Sequence, residues 1–153
     1  MPALIETRLK FGGESERLVA DWYKSKNWNI TWPDTSDSWD LRIHNDTASS
    51  RIKVTRDLSM ASTDNHSLLF ERAGQPSGIM SKDFDMWCVV DINSIAYFFE
   101  INKLRAYIKR VHPGKIFQMH QGIAYSISFQ KMITDLKPMT VSLKPQKQSR
   151  YEF

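Results

Sequence analysis

Residues 38–57 read SWDLRIHNDTASSRIKVTRD, and the reading of this stretch decides the fold. Trp39, Leu41 and Ile43 alternate with Asp40, Arg42 and His44; further on, Ile52 and Val54 alternate with Lys53 and Thr55. Strand side chains point to alternate faces, so each run reads as a strand with one apolar and one ionic face. Between the runs, Asn45-Asp46-Thr47 supplies turn chemistry, because Asn and Asp bond to their own backbone and tolerate left-handed angles. The pattern predicts an antiparallel hairpin whose ionic face carries Asp40 with Lys53 and Thr55. A carboxylate beside an ammonium on such a face is either an exposed ion pair or part of a site.

Towards the N-terminus, Glu14 to Lys26 reads as a helix. Leu18, Val19, Trp22 and Tyr23 recur at helical spacing, with acids in the first turn and Lys24 and Lys26 in the last, as the helix dipole favours. Trp28, Ile30 and Trp32 alternate with Asn29 and Thr31 as a strand ended by Pro33-Asp34. Towards the C-terminus, Asp57 to His66 is polar and reads as a loop. Ser67 to Arg72 reads as a strand running into the Gly74–Gly78 turn. Met86 to Ile92 is nearly all apolar, the mark of a strand covered on both faces, and Ala96 to Ile101 is its expected neighbour. Lys103 to Val111 reads as a helix with Leu104, Tyr107, Ile108 and Val111 on one side and Lys103, Arg105, Lys109 and Arg110 largely on the other. Lys115–His120 and Ile123–Phe129 form an expected second hairpin around Gln121-Gly122. The fold class is therefore α/β (α+β mixed), a central mixed β-sheet flanked by helices. One domain is expected over residues 1–136, followed by a basic tail over 137–153 with little fixed order.

Composition narrows the function. A chain of 153 residues can bury a core, and 41% hydrophobic with 25% charged residues describes an ordinary globular protein. No apolar run reaches membrane-spanning length and MPALIETRLK lacks a signal-peptide layout, which predicts a cytoplasmic chain with no membrane partner. The single cysteine, Cys88, excludes an internal disulfide and a cysteine-rich zinc site; within MWCVV it reads as a buried small hydrophobe. His44, His66, His112 and His120 have no metal-ligand spacing and read as surface or turn residues. Trp28, Trp32 and Trp39 read as core rather than as stacking platforms for bases. A net charge of +4 permits an anionic partner. Arg42, Arg51 and Arg56 around the hairpin, with Lys103, Arg105, Lys109 and Arg110 on the helix, are the candidate phosphate contacts.

A helix carrying ERLVADW (Glu16 to Trp22), followed by a hairpin with Asp40 on its first arm, resembles the PD-(D/E)XK nuclease superfamily. TDNHSLLFERAGQPSGI (Thr63 to Ile79) and SKDFDMW (Ser81 to Trp87) look like a phage-type branch of it. The likeness covers roughly Gly12 to Arg110. It implies a restriction-endonuclease-like core in which Asp40 is the metal-binding aspartate and Glu16 stands on the first helix. It also implies Mg²⁺ or Mn²⁺ as cofactor and DNA as partner, a protein partner or homodimer being compatible alternatives.

The chain departs from that pattern at the second arm. Aligned on Arg56-Asp57, Lys53 takes the place of the acid and Thr55 that of the lysine. Mg²⁺ needs hard oxygen ligands, and an ammonium offers none. One unit charge at roughly 4 Å and an effective dielectric near 20 is worth about 4 kcal/mol, so exchanging acid for Lys53 opposes metal binding strongly. The expectation is a nuclease scaffold that binds DNA or a partner protein with a degenerate metal site, the Lys53 ammonium balancing Asp40 and Glu16. The alternative is an active endonuclease whose acid has migrated to Asp57, Glu71, Asp85 or Glu100.

Overall fold

The structure, a computed structural model, describes residues 13–34, 39–57, 60–72, 75–76, 78–80, 83–111, 115–119 and 122–143. Helix α1 (Gly13–Ser25) leads to β1 (Asn29–Thr31), β2 (Leu41–His44) and β3 (Ser49–Arg56). A single turn, α2 (Met60–Thr63), precedes β4 (Asn65–Arg72), β5 (Gln75–Pro76) and a 3-10 turn at Gly78–Met80. Then come β6 (Met86–Val90), β7 (Ile95–Glu100), α3 (Ile101–Val111), β8 (Lys115–Met119), β9 (Gly122–Ser128), α4 (Phe129–Leu136) and β10 (Met139–Ser142).

The central sheet has six strands in the order β1-β2-β3-β6-β7-β10. All its neighbours are antiparallel except β3 and β6, which run parallel, so the sheet is mixed and helices flank it as expected. The long crossover from β3 to β6 carries α2, β4, β5 and the 3-10 turn. Part of it joins β8 and β9 in a second, four-stranded sheet of order β5-β4-β9-β8. The predicted hairpin around Gln121-Gly122 is therefore present, with β9 paired to both β8 and β4.

Two cores lie on opposite faces of the central sheet. On one, Val19, Ala20 and Tyr23 of α1 pack against Leu41, Ile43, Ile52, Cys88, Val90, Ala96 and Phe98. On the other, Trp87, Val89 and Phe99 meet Leu68 and Ile127 of the second sheet, with Leu104, Tyr107 and Ile108 of α3 and Met132 of α4. Strand β6 is buried on both faces, as its unbroken apolar run requires. Helix α4 begins at Ser128, whose hydroxyl accepts from Lys131 N and donates to Asp64 Oδ2. Ser128→Ala should cost about 1 kcal/mol of stability, the usual loss at an N-cap, read by urea denaturation.

Several readings change. Trp32, read as core, is exposed, and the expected loop from Asp57 to His66 holds the helical turn α2. β10 pairs with β7 from Met139 to Ser142, so the ordered domain continues beyond residue 136 and the first part of the expected tail is an edge strand. Strand β4 starts at Asn65 rather than Ser67, and His66 is fully buried on it instead of lying at the surface or in a turn. Trp39 packs with the Trp87 core and not with Leu41 and Ile43, because the strand alternation begins only at Leu41, after a bend at Asp40. His112, His120 and the chain beyond 143 lie outside the described residues.

Candidate functional site

The turn of the central hairpin forms as its residues dictate. Asn45 Oδ1 accepts from the backbone N–H of Thr47 and Ala48, both at 2.9 Å, and from the Thr47 hydroxyl at 3.0 Å. This closure sets the register: Leu41 lies opposite Ile52, Arg42 opposite Arg51 and His44 opposite Ser49. Asp40 extends the ladder by one residue, its N–H donating to Ile52 O at 2.9 Å, which puts it across from Lys53.

There the two charges meet. Lys53 Nζ lies 3.6 Å from Asp40 Oδ2, with the Asp40 side chain 17% exposed and that of Lys53 33% exposed. The same Oδ2 accepts from Val54 N at 2.6 Å, so Asp40 ties β2 to β3 through both side chain and backbone. Removing the carboxylate leaves the Val54 N–H without its acceptor. Asp40→Ala should therefore destabilise by about 1–3 kcal/mol, and Asp40→Asn by less, since an amide oxygen can still accept. Chemical denaturation of the two variants checks the order.

The other candidates are distributed around this pair. Thr55 is half-buried two residues further along β3, on the face of Lys53. Glu16 is half-buried on α1, which packs against the opposite face through Val19, Ala20 and Tyr23. Arg51 is engaged by Asp85: its backbone N–H donates to Oδ2 at 2.8 Å and its Nε lies 3.6 Å from the same oxygen. Arg56 Nη1 donates to Ser15 Oγ at 3.2 Å, and Arg105 Nε to Ile79 O at 2.7 Å. Arg110 lies over the Tyr107 ring, 5.3 Å from its centroid. Lys103, Lys109 and Arg110 are exposed on α3, away from its buried Leu104, Tyr107 and Ile108. Helix α3 starts beside the Arg51–Asp85 pair, since Ile101 N donates to Asp85 O at 3.0 Å.

Of the four alternative acids, Asp57, Asp85 and Glu100 have other partners. Asp85 holds Arg51. Glu100 caps α3, accepting from Asn102 N at 3.1 Å and Lys103 N at 2.9 Å. Asp57 Oδ2 sits 2.9 Å from His66 Nδ1, and Trp87 Nε1 donates to His66 Nε2 at 3.2 Å. An indole N–H can only donate, which assigns the His66 hydrogen to Nδ1, facing Asp57. This Asp57–His66–Trp87 chain escaped the sequence reading. Its one signal was the two-residue spacing of His66 and Leu68, which puts both on the inward face once the strand is begun at Asn65. The Glu71 side chain lies outside the described residues.

A divalent ion does not fit this constellation. Asp40 Oδ2 already faces two donors, one of them an ammonium, and an added cation would meet the Lys53 charge. Among the described residues, no group of three or more His, Cys, Asp or Glu side chains could hold a metal ion. Cys88 offers no nucleophile either, because burial, and then the nearby Asp40 charge, push its thiol far up. Burial, aided by the hydrogen bond it donates to Asp135 at 2.7 Å, pushes the Tyr107 hydroxyl up to about 12. A cleft of about 130 Å³ lined by Glu100, Lys103 and Lys137, among others, includes no residue of β2 or β3. No helix among the described residues is long and apolar enough to cross a membrane.

No family model matches the chain, and no curated protein matches it in sequence. Among solved structures, the bacterial homing endonuclease I-Ssp6803I has a similar fold, with a TM-score of 0.50. The superposition covers 76% of this chain and 74% of that one, at 14% sequence identity. The chain thus shares the fold of that endonuclease.

Proposed function

We propose, from a fold of nuclease type, that this chain is a DNA-binding protein of the PD-(D/E)XK kind, phage-type in its motifs, whose cutting centre has been neutralised from within. The observation that carries the reading is the 3.6 Å contact between Asp40 and Lys53. The ammonium stands where an acidic partner and a divalent ion would be needed, and it balances the aspartate without either. Thr55, at the position of the motif lysine, supplies no charge to orient an attacking water.

What survives is a surface for phosphates. Lys103, Lys109 and Arg110 are exposed on α3, whose first residue, Ile101, is bonded to the Asp85 that holds Arg51. Such contacts position a duplex without reading its sequence, and they weaken steeply as salt rises. Arg51, Arg56 and Arg105 already have intramolecular partners, and in this reading they shape the surface rather than grip the backbone.

A gel-shift and cleavage experiment on one duplex tests the proposal. The chain should bind at low salt, lose affinity on a log–log line as salt rises, and leave the DNA intact in Mg²⁺ or Mn²⁺. The Lys103→Gln/Lys109→Gln double variant should flatten that line by about 2 units of slope. Asp40-dependent cutting would replace the proposal with an active endonuclease. Absence of binding at low salt would point to a protein partner or a second copy of the chain.

A further inference from the structure

The ionic face of the hairpin holds one group that the Asp40–Lys53 pair does not account for. Arg42 lies on β2 between Thr31 of β1 and Arg51 of β3, each directly across from it. Two arginines opposite one another on a sheet repel. Three acceptors described on this face are engaged elsewhere: Asp85 by Arg51, Asp40 by Lys53 and Val54 N, and the Thr31 hydroxyl by His44 Nε2 at 2.8 Å. Arg42 Nε is buried and has no hydrogen-bond partner among the described residues. Buried donors without a partner are rare, and each costs free energy until something accepts from it.

We propose that Arg42 is a built-in seat for an oxyanion, the phosphate group of a nucleic-acid strand laid across β2 and β3. Because Nε is buried here, the Arg42 side chain must turn outward to seat the ligand; its Nε–H and a neighbouring Nη–H then make a side-on fork that matches two oxygens of one phosphate. Among the described residues on this face, Arg42, Arg51 and Lys53 stand with Asp40 and Asp85, leaving one positive charge in excess, which a phosphodiester would neutralise. Occupation also relieves the repulsion between Arg42 and Arg51. DNA as the source of the phosphate rests on the function proposed above; the oxyanion seat itself rests only on Arg42 and its surroundings.

Nitrogen-15 NMR of the arginine Nε–H groups in the full-length protein tests the seat directly. The Arg42 resonance is identified by its loss in Arg42→Lys, and the protein is titrated with inorganic phosphate and separately with a short duplex. The Arg42 signal should move with both. If it moves with phosphate while the duplex fails to bind, the seat stands and the DNA source falls. If the duplex binds and the Arg42 signal stays put, or if neither titrant moves it, the seat is overturned. In gel shifts, Arg42→Gln and Arg42→Lys should each weaken duplex binding about tenfold, because lysine keeps the charge but lacks the fork. Full affinity in a folded Arg42→Lys variant would overturn the fork.

Discussion

Lys53→Glu should make the stability of this protein depend on divalent ions. The substitution sets a second carboxylate opposite Asp40 in a partly buried position, where the ammonium now lies 3.6 Å away. Attraction becomes repulsion. At an effective dielectric near 20, reduced for the solvent that reaches both side chains, the loss of stability is about 2–4 kcal/mol. Two facing carboxylates are also the hard-oxygen pair that a divalent ion seeks. Melting in EDTA should therefore fall well below wild type and recover on adding Mn²⁺. An ion present at 100 times its dissociation constant restores about 2.7 kcal/mol. Adding Thr55→Lys sets an ammonium two residues along the same face, as the proposed family pattern has it, and Asp40→Asn in the same background should erase the Mn²⁺ response. If wild type already shows an Asp40-dependent Mn²⁺ stabilisation, the internal-cation account is wrong.

His66→Ala should produce the largest loss of stability of any single change near the site, about 3–5 kcal/mol from the cavity and the stranded polar groups together. His66 is fully buried, stacked edge-on to Trp87 and Phe129, and bonded on both ring nitrogens. Its removal leaves the Trp87 N–H without an acceptor inside the core. Trp87→Phe removes that donor alone and should cost about 1–3 kcal/mol. Because the two residues share one hydrogen bond, the double variant should lose less than the separate losses combined. A His66→Ala variant within about 1 kcal/mol of wild type in urea would show that the chain carries no stability.

Several parts of this protein were legible from local pattern. The alternation from Leu41 to Thr55 and the Asn45 turn suffice to form the hairpin, since pairing across a short turn needs only neighbours in the chain. Once that register exists, Asp40 has no position available except across from Lys53. The helical spacing of Val19 and Tyr23, and of Leu104, Tyr107 and Ile108, likewise identified two helices and their buried sides. The exposure of Lys103, Lys109 and Arg110 followed from the same periodicity.

The partners of the arginines were not legible in that way. Arg51 meets Asp85 across 34 positions, through the parallel pairing of β3 with β6, and no local rule announces that pairing. Arg56 reaches Ser15 across 41 positions. The burial of His66 depends on a second sheet that forms only when β4 finds β9, and β10 becomes a strand only because β7 offers it an open edge. Sequence alone determined which charges share the hairpin face, because side-chain alternation and a short turn are local properties of the backbone. Tertiary structure alone decided which of those charges are already satisfied and that the Arg42 Nε has no partner among the described residues, because hydrogen bonds between distant segments exist only after the sheets have assembled.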